Sequence, residues 1–82
     1  MSKEVNAVIL REVEKIGEAH DVRVVMSEES INKNKLLVYF HLNDLRHAPE
    51  EFDDELKELV NSIGLTMFEW HDDKFNCAVF VY

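Results

Sequence analysis

The sequence predicts a small α+β domain whose helices and strands follow the order α-β-β-α-β-β. Three observations lead to this prediction. Two segments repeat apolar residues at helical spacing, four short apolar segments have the length of strands, and each helical segment ends in Ile-Gly. A chain of 82 residues is long enough for one hydrophobic core. We therefore expect one domain over residues 1–82, built from halves at 1–42 and 47–82.

The first helix is expected to begin near Ser2, whose hydroxyl can cap the free backbone N–H groups of the first turn. Gly17 offers a stop, because glycine adopts the left-handed backbone that ends many helices. The apolar positions between them recur every three or four residues, as in a helix with one buried side. These positions are Val5, Val8, Ile9, Val13 and Ile16.

The second helix is predicted from Pro49, which suits a first helical position, to Gly64. Five carboxylates (Glu50, Glu51, Asp53, Asp54 and Glu55) lie near its start, where the positive end of the helix dipole favours them. Its apolar positions are Phe52, Leu56, Leu59, Val60 and Ile63. Counting back from the two Ile-Gly pairs aligns Val5 with Phe52, Ile9 with Leu56 and Val13 with Val60, so the halves are predicted to repeat one αββ unit.

Four strands are predicted at Val22–Met26, Leu36–Leu42, Leu65–Trp70 and Phe75–Tyr82. The second and fourth are almost continuously apolar and should be central, whereas Arg23 and Glu69 indicate edge strands. Two-fold pseudosymmetry then gives the order first, second, fourth, third, with all neighbours antiparallel and both helices on one face. This arrangement resembles the ferredoxin-like fold with its first strand moved to the end. An intertwined dimer that pairs the halves between chains is the alternative.

One face of this sheet is expected to lack a helix. Strand residues alternate between faces, and we expect the aliphatic set of the fourth strand, with Cys77 and Val79, to face the helices. The third strand is ambiguous, since either Phe68 and Trp70 or Met67 and Glu69 can lie on the helix-free side. An exposed aromatic face is typical of an interface, unless a loop covers it. Its predicted residues are Leu37, Tyr39, His41, Phe80 and Tyr82, together with Trp70.

The net charge of −8 is concentrated in the second half of the chain, where residues 42–82 carry −7. Nucleic-acid phosphates would be repelled, so we expect no direct binding to nucleic acid and no base stacking on the aromatic face. A basic protein surface is the partner that this charge favours. The alternative is a solvated helix face with no partner. The candidate contact residues are Glu50, Glu51, Asp53, Asp54, Glu58, Asp72 and Asp73.

The motifs of common enzyme classes are absent from the sequence. Two glycines cannot form a phosphate-binding loop, and a single cysteine, Cys77, excludes an internal disulfide and suits a buried, inert thiol. A metal site at His41, His71 and Asp73, with His47 as a further ligand, is weaker than a reading of these residues as polar turn and rim positions. We therefore predict no enzyme, no metal and no cofactor.

The function that the sequence favours is a small acidic protein-binding module of the inhibitor or immunity type, such as a phage antagonist. Its carboxylates would mimic nucleic-acid phosphates and dock on a basic groove. The alternative is a homodimer or regulatory subunit that assembles through the aromatic sheet face. No apolar run is long enough for a signal-peptide core or a bilayer span, so a cytoplasmic protein without membrane contact is expected.

Overall fold

The computed structural model of the chain describes residues 2–42, 50–71 and 76–82. These residues form two helices, four strands and one turn of 3-10 helix in the predicted order α-β-β-α-β-β. The elements are α1 (Ser2–Ala19), β1 (Arg23–Ser30), a 3-10 helix (Ile31–Lys33), β2 (Lys35–His41), α2 (Glu50–Ser62), β3 (Met67–Trp70) and β4 (Cys77–Val81).

The four strands form one sheet in the order β1-β2-β4-β3, and every neighbouring pair is antiparallel. His20, just after α1, contacts Glu55 of α2, and Ile16, one turn earlier in α1, lines a groove together with Leu59 and Ser62, which lie later in α2. The two helices therefore run antiparallel to each other. Both helices pack on one face of the sheet and share a single core with it. The predicted fold class, strand order and helix placement are therefore confirmed.

Aromatic side chains form the centre of the core between the sheet and α2. The Phe40 and Phe52 rings meet edge to face with centroids 5.2 Å apart, and Trp70 lies within 6.1 Å of both. Phe68 stacks on Phe80 at 5.4 Å. Such pairs add to the free energy of burying the rings, by about 0.5–1.5 kcal/mol each. The aliphatic remainder of the buried core is Ile9, Val13, Val22, Leu36, Val38, Leu42, Leu56, Leu59, Val60 and Ala78.

The end of α1 differs from the prediction. Gly17 lies inside the helix, and the chain turns at Asp21, whose φ of 58° is left-handed. The Val22 N–H donates to the Gly17 carbonyl at 2.9 Å, the six-to-one hydrogen bond of a Schellman cap. A Cβ at position 17 would lie 2.5 Å from the Val22 carbonyl oxygen. Gly17 is therefore needed for a close backbone contact, not for the left-handed turn.

Gly64 ends α2 as predicted. Its φ is 74°, and the Leu65 N–H donates to the Val60 carbonyl at 2.9 Å, which is the same cap. Because Asp21 and Gly64 occupy the equivalent left-handed position, the two halves align four residues away from the predicted register. Ile9 corresponds to Phe52, and Val13 to Leu56. The repeat is present, but the Ile-Gly pairs are not equivalent within it.

Strand β1 is longer than predicted and extends to Ser30, four residues beyond the expected end at Met26. A β-bulge at Val25 shifts its pairing with β2, so that Val24 faces Phe40 and Met26 faces Tyr39. The bulge leaves Val25 52% exposed on the outer strand, and bulges of this kind interrupt the regular edge that another strand could extend. Pro49, expected to begin α2, and residues 72–75, which include the expected start of the fourth strand at Phe75, lie outside the described residues.

Candidate protein-binding surfaces

The outer side of α2 carries a row of exposed carboxylates. Glu50, Asp54 and Glu58 follow one another at four-residue spacing, which places them on one side of a helix, and each is exposed, as is Glu51 beside them. We call these four residues the acidic strip. The opposite side of α2 is buried through Phe52, Leu56, Leu59 and Val60. Within the described part of the chain, none of the four carboxylates forms a salt bridge.

Asp53 belongs to the same helix but is held within the fold. The Trp70 indole N–H donates to its Oδ1 at 2.7 Å, and Lys57 Nζ lies 2.9 Å from its Oδ2. Partial burial works to raise the pKa of Asp53, but the hydrogen bonds from Lys57 and Trp70 outweigh it and hold the pKa below the ordinary value. The predicted contact residue Asp53 is therefore already bound inside the molecule, and we leave it out of the acidic strip.

Glu55 is also engaged within the fold, where it links the two helices. Its Oε2 pairs with Nε2 of His20, and the His20 ring packs edge-on against Phe52 at 6.0 Å. The remaining acidic candidates, Asp72 and Asp73, lie outside the described residues.

The sheet register reverses the predicted orientation of β4. Phe80 pairs with Leu36, and Ala78 with Val38, so these side chains share the helix-facing side. Trp70 and Tyr82 also pack against the core. The predictions that Phe80, Tyr82 and Trp70 lie on the helix-free face are therefore wrong.

The error in β4 has a physical cause. Cys77, Ala78, Val79 and Phe80 are all buried, so burial in this central strand does not alternate. Side-chain type then decides the predicted face, and it directs the aliphatic set to the helices. In the structure the space beneath α2 is filled by rings, and Phe80 stacks there on Phe68. Each element next to β4 contributes an aromatic residue to this layer. That pattern was the sequence signal that β4 would also contribute an aromatic residue.

Leu37, Tyr39 and His41 do face away from the helices, as predicted. The register places them in rows across the sheet. One row joins Met26, Tyr39 and Cys77, and the next joins Glu28, Leu37, Val79 and Glu69. A third joins Ser30, Lys35, Val81 and Met67. We call the residues of these three rows the open face.

Met26 and Met67 are the most exposed large apolar side chains of the open face, at 50% and 42%. They lie at opposite corners, and a two-fold axis through the Leu37–Val79 pair exchanges them and also exchanges Glu28 with Glu69. The pseudosymmetry of the fold thus repeats on its surface. Met67 and Glu69 are one of the two alternatives that the sequence left open for the helix-free side of the third strand. The residues Met26, Glu28, Cys77, Val79 and Val81 were not among the predicted contact residues.

Tyr39 lies on the open face beside Cys77 and near Glu28 of the neighbouring row. Burial against the sheet raises the pKa of its hydroxyl above the ordinary value, and the nearby Cys77 and Glu28 raise it further. At neutral pH the side chain therefore offers an apolar ring with a neutral hydroxyl, a combination that is common at protein interfaces.

His41 is exposed at the end of β2, opposite Arg23 on β1. His71 follows β3, and its backbone N–H donates to the Cys77 carbonyl at 2.7 Å. Among the described residues no three His, Cys, Asp or Glu side chains are placed to hold a metal ion. The other two residues considered for a metal site, His47 and Asp73, lie outside the described residues.

Neither described helix is long and apolar enough to cross a membrane. Comparisons of the chain with protein-family models, with curated proteins and with solved structures found no match.

Proposed function

We propose that this chain is a protein-binding module of the inhibitor or immunity type, which docks its negative surface on a basic partner protein. The observation that carries the proposal is the acidic strip. Glu50, Asp54 and Glu58 are exposed on one side of α2 and form no salt bridge in the described part of the chain. These carboxylates are exposed to a partner, and the nearby Lys57, whose ammonium pairs with Asp53, offsets part of the charge of Asp54 and Glu50.

Electrostatics explains why a basic partner suits this surface. The chain carries a net charge of −8, and a charge of this size accelerates encounters with positive surfaces and opposes contact with phosphates. A surface that binds nucleic acid is itself rich in Lys and Arg. A row of carboxylates on a rigid helix can occupy such a surface in place of phosphates, which is how an acidic antagonist would act. The proposed role is binding, without catalysis.

The test is affinity capture from a cell lysate at low and at high salt, followed by binding measurements with each retained protein. We expect at least one basic protein to be retained at low salt and released at high salt. The triple variant Glu50→Gln, Asp54→Asn, Glu58→Gln should weaken its affinity about ten-fold, since each exposed charge pair contributes about 0.2–1 kcal/mol.

A matched control exists on α1, where Glu4, Glu14 and Glu18 are also exposed. Their conversion to Gln removes the same three charges from another surface, and it should leave the affinity nearly unchanged. Thermal melts of both triple variants establish that each is folded. The proposal fails if the two variants bind equally well, or if no protein is retained at low salt.

A further inference from the structure

The open face combines an apolar centre with negative charge on both sides. Leu37 and Val79 lie side by side on the two central strands, and Glu28 and Glu69 continue their row onto the edge strands β1 and β3. Neighbouring strands are about 4.8 Å apart, so the two carboxylates are attached about 14 Å from each other. Both helices lie on the other side of the sheet.

This spacing matches the width of a helix. An α-helix with its side chains is about 10–12 Å across, so one lying along β2 and β4 would cover the apolar centre and place its flanks near Glu28 and Glu69. A single added strand would be about 4.8 Å wide and would leave at least one carboxylate without a counter-charge. The exposed methionines at the corners, Met26 and Met67, have flexible side chains that adapt to a packed ridge.

Among the described residues, the basic side chains on this side of the sheet lie near the ends of the strands and not beside the Leu37–Val79 row. Lys35 is at one end of β2, and Arg23 on β1 lies opposite the other end. The negative charge of this face is therefore concentrated halfway along the edge strands β1 and β3. A complementary helix would therefore carry its Lys and Arg along both flanks, opposite Glu28 and Glu69.

A second copy of this chain fits the face less well. A two-fold axis that lies in the interface and runs along or across the strands stacks the Leu37–Val79 centre on itself and brings Glu28 against Glu69 or Glu28 of the other copy. Like charges in contact oppose association. Each copy also carries a net charge of −8, which adds repulsion at longer range.

We propose that the open face is the docking site for a basic amphipathic helix of a partner protein. Apolar side chains of that helix pack on the half-buried Leu37, Tyr39 and Val81, and its flanking Lys or Arg side chains pair with Glu28 and Glu69. This inference rests on the proposed function, because it assigns the basic partner a second contact in addition to the acidic strip.

The probe is a fluorescent synthetic peptide of leucine and lysine whose leucines share one helical face. A peptide of the same composition in scrambled order serves as the control, because it has the same charge but no apolar face. Fluorescence anisotropy should show that the protein binds the amphipathic peptide more tightly than the scrambled one. Equal binding of the two peptides would overturn the proposal.

Paired charge variants locate the site. Glu28→Gln with Glu69→Gln should weaken binding of the amphipathic peptide about three- to ten-fold, from two exposed charge pairs. Glu14→Gln with Glu18→Gln removes the same charge from α1 and should change the affinity less than about two-fold. Met26→Lys with Met67→Lys should abolish binding while the melt stays cooperative, because both positions are exposed.

The outcomes separate this inference from the proposed function. If the changes at Glu50, Asp54 and Glu58 weaken peptide binding and those at Glu28 and Glu69 do not, the open-face site is wrong and the acidic strip remains the binding surface. If the charge changes in the acidic strip do not alter the affinity for the lysate partner, while those in the open face weaken peptide binding, the proposed function is wrong and the open-face site stands. Sedimentation that shows a dimer, dissociated by Met26→Lys with Met67→Lys, would identify a second copy as the occupant and overturn the proposal.

Discussion

The indole N–H of Trp70 donates a hydrogen bond to the carboxylate of Asp53, and this bond joins the edge strand β3 to the first turn of α2. The distance from Nε1 to Oδ1 is 2.7 Å, which is short for an N–H···O bond and typical of one with an ionised acceptor. Lys57, one turn later on α2, binds the other oxygen of Asp53. Trp70 thus satisfies its polar atom while its rings pack against Phe40 and Phe52.

Asp53→Ala should therefore lower the free energy of unfolding by about 1–2 kcal/mol, because the Trp70 N–H loses its acceptor. Asp54→Ala is the matched control, since Asp54 is exposed at the adjacent position and has the same relation to the helix dipole. Its effect should stay within about 0.5 kcal/mol. Urea unfolding followed by Trp70 fluorescence measures both. Equal losses in the two variants would mean that the Trp70 contact contributes nothing to stability.

The contact between Asp53 and Trp70 also predicts that the stability of the fold depends on pH in the acid range. The pKa of Asp53 is lower in the folded protein than its ordinary value of 3.8, so folding favours the ionised form. This contribution is fully present above about pH 4 and is lost as the pH falls through the lowered folded pKa. The stability advantage of the native chain over Asp53→Asn should therefore shrink below about pH 4. Urea midpoints at successive pH values test this, and Trp70→Phe should reduce the effect by removing one of the two donors.

The sequence predicted the fold well because apolar periodicity identifies both helices and β2, and charge placement identifies the edge strands. The stripe of α2 from Phe52 to Val60 is buried as expected, and Arg23 and Glu69 do belong to edge strands. In β2, burial alternates from Leu36 to Phe40, so its two faces could be assigned correctly. Such patterns depend only on residues that are close together in the chain, so they can be recognised without the tertiary structure.

The binding surfaces were harder to predict because they depend on pairing between strands. The face that β4 presents is fixed by its register with β2, and a shift of one residue exchanges Phe80 for Val79. The engagement of Asp53 likewise depends on Trp70, which lies 17 residues away in the chain. Of the acidic candidates, Glu50, Glu51, Asp54 and Glu58 could be placed on an exposed face from helical spacing alone.

The orientation of β4 can be tested by comparing Phe80 with Tyr39. Phe80 is fully buried beneath the helices, so Phe80→Ala should lower the free energy of unfolding by about 3–5 kcal/mol. Tyr39 lies half-buried on the open face, and Tyr39→Ala should cost about 1–2 kcal/mol, in proportion to the smaller apolar area that it buries. Chemical denaturation measures both values. A larger loss for Tyr39→Ala would favour the opposite orientation.

The two glycines should respond differently to substitution. Gly17→Ala places a Cβ 2.5 Å from the Val22 carbonyl oxygen, and relieving this contact should cost about 1–3 kcal/mol. Gly64→Ala meets no atom within 4 Å but strains a φ of 74°, which should cost about 1 kcal/mol. Gly64→Asn should recover most of that loss, because asparagine tolerates a left-handed backbone. Gly17→Asn should recover nothing, and thermal melts of the four variants would show whether the two glycines differ in this way.

The ionisation of Tyr39 reports on the open face directly. The pKa of its hydroxyl lies above the ordinary value of 10.0, because burial, Cys77 and Glu28 all oppose the phenolate. In a Tyr82→Phe background, tyrosinate absorbance should therefore titrate at a pH above 10.0. The raised pKa also means that the contribution of Tyr39 to stability is present below about pH 10 and is lost as the pH rises through the folded pKa.

Glu28→Gln should lower the pKa of Tyr39 by removing a nearby negative charge. Glu29→Gln is the matched control, because Glu29 is paired with Leu36 and lies on the other side of the sheet. An equal shift in both variants would contradict the register that places Tyr39 beside Glu28.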